Sequence, residues 1–179
     1  MAIDISRIRG ISRARYDFEV VTPLFMGGAD PKYAEIRAQS IKGLLRFWWR
    51  AFQQETDIKK LRGKEDRIFG STDGKSRFSI SVEYRDKPQM GNLNKGSTFS
   101  VEGRGGNIGI IDYLSFGICV RNNELKKNEY IRQHFAPGTK FTVNLAFYDE
   151  SMKGEVLKAF SMLVAFGGLG AKSRNGFGS

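Results

Sequence analysis

The chain's last stretch, Gly167-Gly-Leu-Gly-Ala-Lys-Ser-Arg-Asn-Gly-Phe-Gly-Ser179, is the one most able to do chemistry. From Gly167 to Gly178 it holds five glycines, Lys172 and Arg174, and no acid. Glycines let consecutive backbone N–H groups converge and let main chain approach a phosphate closely. Lys172 and Arg174 would add charge among Gly168, Gly170, Gly176 and Gly178. The same composition also fits a flexible tail. It does not fit a nucleoside-triphosphate P-loop, because the four-residue gap before Gly-Lys-Ser/Thr is missing and a helical pattern, not a strand, precedes it.

A second basic feature runs through Arg37, Lys42, Arg46 and Arg50. It passes from a loop onto a helix predicted over 41–54, with Ser40 as its cap. Lys42 stands in the first turn, where its charge opposes the helix macrodipole; a bound anion would offset that conflict. Arginine can grip phosphate with two hydrogen bonds and can stack on bases. A solvated basic face is the plainer alternative. On the helical wheel, Ile41, Leu44, Leu45, Trp48, Ala51 and Phe52 share the apolar arc. That arc assigns Trp48 to the core and Trp49 to its border, where it either stacks on a base or packs under a loop.

Catalytic chemistry has few candidates. His134 is the only histidine, so no histidine pair can bind a metal or divide acid and base roles. Cys119 is the only cysteine, which excludes an internal disulfide; its apolar neighbours predict a buried small hydrophobe. Asp30, Glu35, Asp66 and Asp73 form no metal-ligand spacing. No catalytic residue, metal or cofactor is expected. One enzymatic alternative stays open: His134 as the lone base of metal-independent RNA cleavage through a 2′-OH. A surface or turn histidine is the plainer reading.

The elements that must position these residues follow from periodicity. Strands are predicted over 15–22, 77–84, 113–120 and 140–148, and helices over 41–54, 58–68, 125–133 and 151–166. Met152, Val156, Ala159, Phe160 and Leu163 form the core face of the last helix. Residues 23–39 read as a long loop and 85–112 as a glycine-rich insertion. The order suggests one α+β domain over 1–179, a split-βαβ, ferredoxin-like sheet with helices on one face. The strand expected after the glycine loop is missing from the sequence. With 29 Lys and Arg against 19 Asp and Glu, the formal charge of +10 points to an anionic partner, nucleic acid first. Met1 to Ser6 lacks the apolar core of a signal peptide, and the apolar run 157–169 is too short to span a bilayer, so a cytoplasmic, membrane-free protein is expected.

Several of these segments resemble the RAMP superfamily of CRISPR proteins, in particular the first-numbered subunits of type III-B Cmr effectors. They are Thr22-Pro-Leu-Phe-Met-Gly-Gly28, Ile36-Arg-Ala-Gln-Ser-Ile-Lys-Gly-Leu-Leu-Arg-Phe-Trp-Trp-Arg50, Ile68-Phe-Gly-Ser71 and the closing glycine loop. The resemblance implies a ferredoxin-like βαββαβ domain related to RNA-recognition modules, with the glycine loop after its second helix. It implies a non-catalytic RNA-binding subunit near the 3′ end of the CRISPR RNA. The partners would be that RNA or its target, and other Cmr subunits. By position, Arg37, Lys42, Arg46 and Arg50 of the helix block carry over, with Gly168, Gly170, Lys172, Arg174, Gly176 and Gly178 of the loop. Subunits of this kind usually carry two tandem RAMP domains, of which one is visible here. Together the helix and the loop would then line an RNA cleft, the loop becoming ordered when RNA or a neighbour is present.

Overall fold

In the computed structural model, which describes residues 11–30, 32–88, 98–100, 107–122, 124, 127–130 and 132–179 (backbone alone for 119–121 and 127–130), polar–apolar alternation builds the sheet. The elements are β1 (Ser12–Glu19), α1 (Ala38–Ala51), α2 (Ile58–Phe69), β2 (Phe78–Tyr84), β3 (Thr98–Ser100), β4 (Asn107–Gly109), α3 (Ile110–Leu114), β5 (Cys119–Asn122), β6 (Lys127–Tyr130), β7 (Lys140–Phe147) and α4 (Lys153–Phe166). The chain divides into two compact units. One contains Ala38–Tyr84, Phe141–Phe166 and the described part of Met1–Phe18; the other contains Glu19–Arg37, Gly167–Ser179 and the described part of Arg85–Lys140.

The first unit holds a sheet of order β1-β7-β2, with β2 and β7 antiparallel and Phe78 opposite Phe147. Every second residue of β7, from Phe141 to Phe147, is buried. α1 buries Ile41, Leu45 and Trp49; α4 buries Val156, Ala159, Phe160 and Leu163. Tyr16 and Phe18 of β1 meet Phe160 at centroid distances of 4.6 and 5.8 Å. Burying each such side chain contributes roughly 1.5–3 kcal/mol. α2 starts where Asp57 accepts hydrogen bonds from the amides of Lys59 and Lys60, at 2.9 and 3.3 Å. It ends at Gly70, whose φ of +80° favours glycine. The other sheet face is polar and cross-linked: Thr142 donates to Asp17 (2.6 Å), Asn144 to Glu83 (2.9 Å) and Tyr148 to Ser79 (3.0 Å).

This is the expected α+β arrangement with an antiparallel sheet. Its order, β1-β7-β2, sets the first, third and second strands of a ferredoxin-like sheet side by side, and this sheet has three strands among the described residues. Some boundaries differ. α1 begins at Ala38, so Ser40 lies inside the helix and does not cap it. The predicted 113–120 strand is replaced by α3, and strand begins only at Cys119. The predicted 125–133 helix contains β6 instead, paired antiparallel with β5 from Cys119↔Tyr130 to Asn122↔Lys127. Within the 85–112 insertion, β3 and β4 form a hairpin with Phe99 opposite Ile108. Residues 89–97 and 101–106 of that insertion, 125, 126 and 131, Met1 to Ser6, and the Cys119 side chain lie outside the described residues.

The second unit has its own core. Phe25, Ile118 and Phe177 form a buried cluster, with Ile111, Leu114 and Ala171 packed against it. Leu24 and Phe135 exchange backbone hydrogen bonds at 3.0 Å in both directions, and both side chains are fully buried. Among the described residues, no helix is long and apolar enough to cross a membrane.

Candidate nucleic-acid interface

The glycine loop is folded, not a tail. It lies in the second unit, pinned to Pro23–Phe25: Ala171 N–H donates to Phe25 O (2.7 Å) and Gly178 N–H to Pro23 O (3.1 Å). Leu169 N–H closes the loop on Gly178 O at 2.8 Å. These bonds all lie within the chain itself. They also explain two of the glycines. Gly170 and Gly178 have φ of +79° and +68°, and a Cβ would overlap Phe25 O and Leu169 O respectively. Packing against neighbouring carbonyls therefore requires glycine at both positions.

One turn of the loop combines positive charge with an unusual backbone conformation. Lys172 is the only non-glycine with positive φ among the described residues, at φ 61° and ψ 23°. A single 3-10 turn, Ser173–Asn175, follows it. The backbone N–H groups of Lys172, Ser173 and Arg174 donate no hydrogen bond among the described residues. A left-handed residue followed by right-handed ones turns successive amides to one side, a shape that suits an anion. Arg174 is exposed and Lys172 half-buried.

The basic stripe on α1 belongs to the first unit, and most of it is already engaged. Arg46 donates to Glu65 at 3.2 Å and to Phe69 O at 3.2 Å, and also to Gly70 O. Arg50 Nε lies 3.3 Å from the other oxygen of Glu65. Glu65 is buried, and a buried carboxylate requires such partners. Arg46 is therefore structural, and Arg50, half exposed, is partly so. Lys42 differs: among the described residues it has no carboxylate partner, and its ammonium sits over the Phe78 ring, 5.3 Å from the centroid. Burial, with Arg46 beside it, lowers its pKa below the usual lysine range. Lys42 and Arg46 line an open cleft of ≈700 Å³ with Ser71, Thr72, Lys75 and Ser76. Arg37, in the second unit, lies 3.9 Å from Glu35.

Trp49 is corrected outright. It is 0% exposed, and its indole N–H donates to Glu155 at 2.6 Å. It presents no ring to a base. The core stripe runs through Ile41, Leu45 and Trp49, and Trp48 is the half-buried neighbour, 6.3 Å from Phe166.

His134 is 4% exposed, its ring 5.1 Å from Phe25, and its Nδ1 has no hydrogen-bond partner among the described residues. This is neither a surface histidine nor a base within reach of a 2′-OH. Burial lowers its pKa from 6.5, so folding favours the neutral ring. The stability due to that ring is complete above about pH 6.5, the unfolded value, and is lost as pH falls through the lower folded pKa. Between about pH 7 and pH 5 the melting temperature of the wild type should fall further than that of His134→Gln. Parallel melting curves would remove His134 as the cause.

A model of the RAMP superfamily matches residues 17–179. The chain belongs to the RAMP superfamily. It is 32% identical over 179 residues to the CRISPR system Cmr subunit Cmr1-2 of Pyrococcus furiosus, covering 93% of this chain and 92% of that protein. That likeness places it among the Cmr1 subunits. It is 36% identical over 155 residues to Cmr1-1 of the same organism, spanning 40% of that longer protein. The apo crystal structure of Cmr1 from P. furiosus superimposes with a TM-score of 0.65 at 24% identity, over 94% of this chain and 48% of that one. A type III-B Cmr-beta complex bound to cognate target RNA contains a chain that superimposes with a TM-score of 0.57 at 13% identity, over 94% of this chain and 57% of that one. At these identities the two structures establish the RAMP fold.

Sequence reasoning missed Glu65, the residue that ties up the arginines of this RAMP chain. A signal was present: Leu61, Glu65 and Ile68 stand at i, i+4 and i+7, so the acid interrupts an apolar helical stripe.

Proposed function

We propose that this chain is a non-catalytic RNA-binding subunit of a type III-B Cmr complex. Its partners would be CRISPR RNA or target RNA, near the 3′ end of the former, and other Cmr subunits. One observation carries the reading: three successive amides without hydrogen-bond partners among the described residues, at Lys172–Arg174, flanked by the two cations of the folded glycine loop. Lys42 offers a further cation with no carboxylate partner among the described residues. No observation favours the endoribonuclease alternative, whose candidate base, His134, is buried.

Lys42→Ala, Lys172→Ala and Arg174→Ala test the reading. Each should weaken binding of single-stranded RNA and flatten the dependence of log K on log salt by about 0.7 for each phosphate no longer neutralised. Fluorescence anisotropy over a salt series measures both. Unchanged affinity in all three variants would sink the site. Arg46→Ala is a poor probe, because it also strips Glu65 of a partner.

A further inference from the structure

The geometry points to Phe116 and Tyr113 as a base-stacking surface beside the glycine loop, which turns a phosphate-binding loop into a nucleotide-binding one. This rests on the RNA-binding reading and names the residues that would hold the bases.

Both rings are exposed, Phe116 at 77% and Tyr113 at 64%. Scattered exposed aromatics need no explanation. These two differ in how firmly they are held and in what stands beside them. α3 is capped at its C-terminus by Ser115, whose hydroxyl donates to Ile111 O at 2.6 Å and whose amide donates to the same oxygen at 2.9 Å. Gly117 then turns the chain with φ +91°, and Ile118 drops into the core with its amide on Ser115 O at 2.9 Å. The turn leaves Phe116 pointing outward between two anchored residues. Tyr113 is braced from the side by Phe99, at 5.8 Å and 89°.

The same turn is fastened to the glycine loop. Ile111 and Leu114 pack with Ala171 on the Phe25–Ile118–Phe177 cluster. Asn175 Nδ2 donates to Leu114 O at 2.8 Å. A Cβ placed on Gly117 would lie 3.9 Å from Lys172 Nζ, so the loop's ammonium stands against the residue next to Phe116. All of this lies within one compact unit. Aromatic faces beside cations are how proteins hold single strands without sequence preference, the rings taking bases and the cations taking phosphates. A partner protein could also cover exposed rings, but the cations and unpartnered amides beside these favour a polyanion.

The test uses the full chain and a fluorescein-labelled single-stranded oligoadenylate. Phe116→Ala and Tyr113→Ala should each weaken binding roughly five- to a hundredfold, in line with the loss of one stacked base. The salt slope should stay as in the wild type, because no phosphate-binding group is removed. Phe116→Trp should restore affinity and Phe116→Leu should not. An abasic oligomer of the same length should bind wild type and Phe116→Ala alike. Because both side chains are exposed, unchanged melting temperatures are expected. If both alanine variants bind like the wild type while Lys172→Ala still weakens binding, the stacking surface is overturned and the RNA-binding reading stands. If Phe116→Leu binds as well as Phe116→Trp, the contact is not stacking. If the wild type binds no RNA, both readings fall together.

Discussion

Trp49→Ala should cost about 3–5 kcal/mol of folding stability, the range for removing a large buried aromatic. The ring is fully buried against Phe69, at 6.1 Å and 69°, and its N–H is bonded to Glu155. Trp48→Ala, one residue earlier and only half buried, should cost clearly less. Trp49→Phe separates the two contributions: it keeps most of the packing and loses one hydrogen bond to a carboxylate, worth about 1.5–3 kcal/mol. Urea unfolding followed by far-UV circular dichroism gives the three values. A larger loss for Trp48→Ala than for Trp49→Ala would return the core stripe to Ile41, Leu44 and Trp48. The result also bears on function, because failed RNA binding in Trp49→Ala would report unfolding and not a missing stacking partner.

Gly178→Ala should break open the glycine loop. A left-handed alanine costs about 1–2 kcal/mol by itself. At Gly178 the new methyl also overlaps Leu169 O, the carbonyl of the residue whose amide closes the loop. Gly176 is the natural control, with φ of +87° and open space around its Cβ. Gly176→Ala should therefore show the backbone cost alone, and Gly178→Ala that cost plus the collision. Hydrogen exchange at the amides of Leu169 and Ala171, both bonded in the intact loop, reads the difference directly. Exchange should accelerate strongly in Gly178→Ala and slightly in Gly176→Ala. Equal rates in the two variants would mean that the overlap is relieved elsewhere.

Where one set of neighbours dominates, the sequence alone was enough. The alternation of β2 and β7 and the core face of α4 follow from periodicity, because each packs one side on a single apolar layer. Met152 is the exception, half buried in the 3-10 turn that precedes α4. Misreadings arose where distant residues decide. Ile110–Leu114 is too short to show a helical period; Ile111 and Leu114 are drawn into a cluster formed by Phe25 and Phe177. Lys127–Tyr130 has no strong strand composition and is a strand because β5 pairs with it. The basic stripe of α1 was visible, but its neutralisation by Glu65 lies 19 residues from Arg46. The loop's cations were legible; its glycines were assigned to phosphate approach, whereas Gly170 and Gly178 answer to neighbouring carbonyls.

The chain's only two tryptophans stand next to each other in α1, one sealed and one half open. Both belong to the sheet-bearing unit. Indole emission is therefore a local optical reporter: its blue-shifted component comes from Trp49 and its quencher-accessible component from Trp48. The unit that carries the glycine loop, Tyr113 and Phe116 has no indole and is silent in that channel. An unfolding curve read at tryptophan wavelengths follows half of this molecule, and a ligand seated on the loop can leave it unmoved.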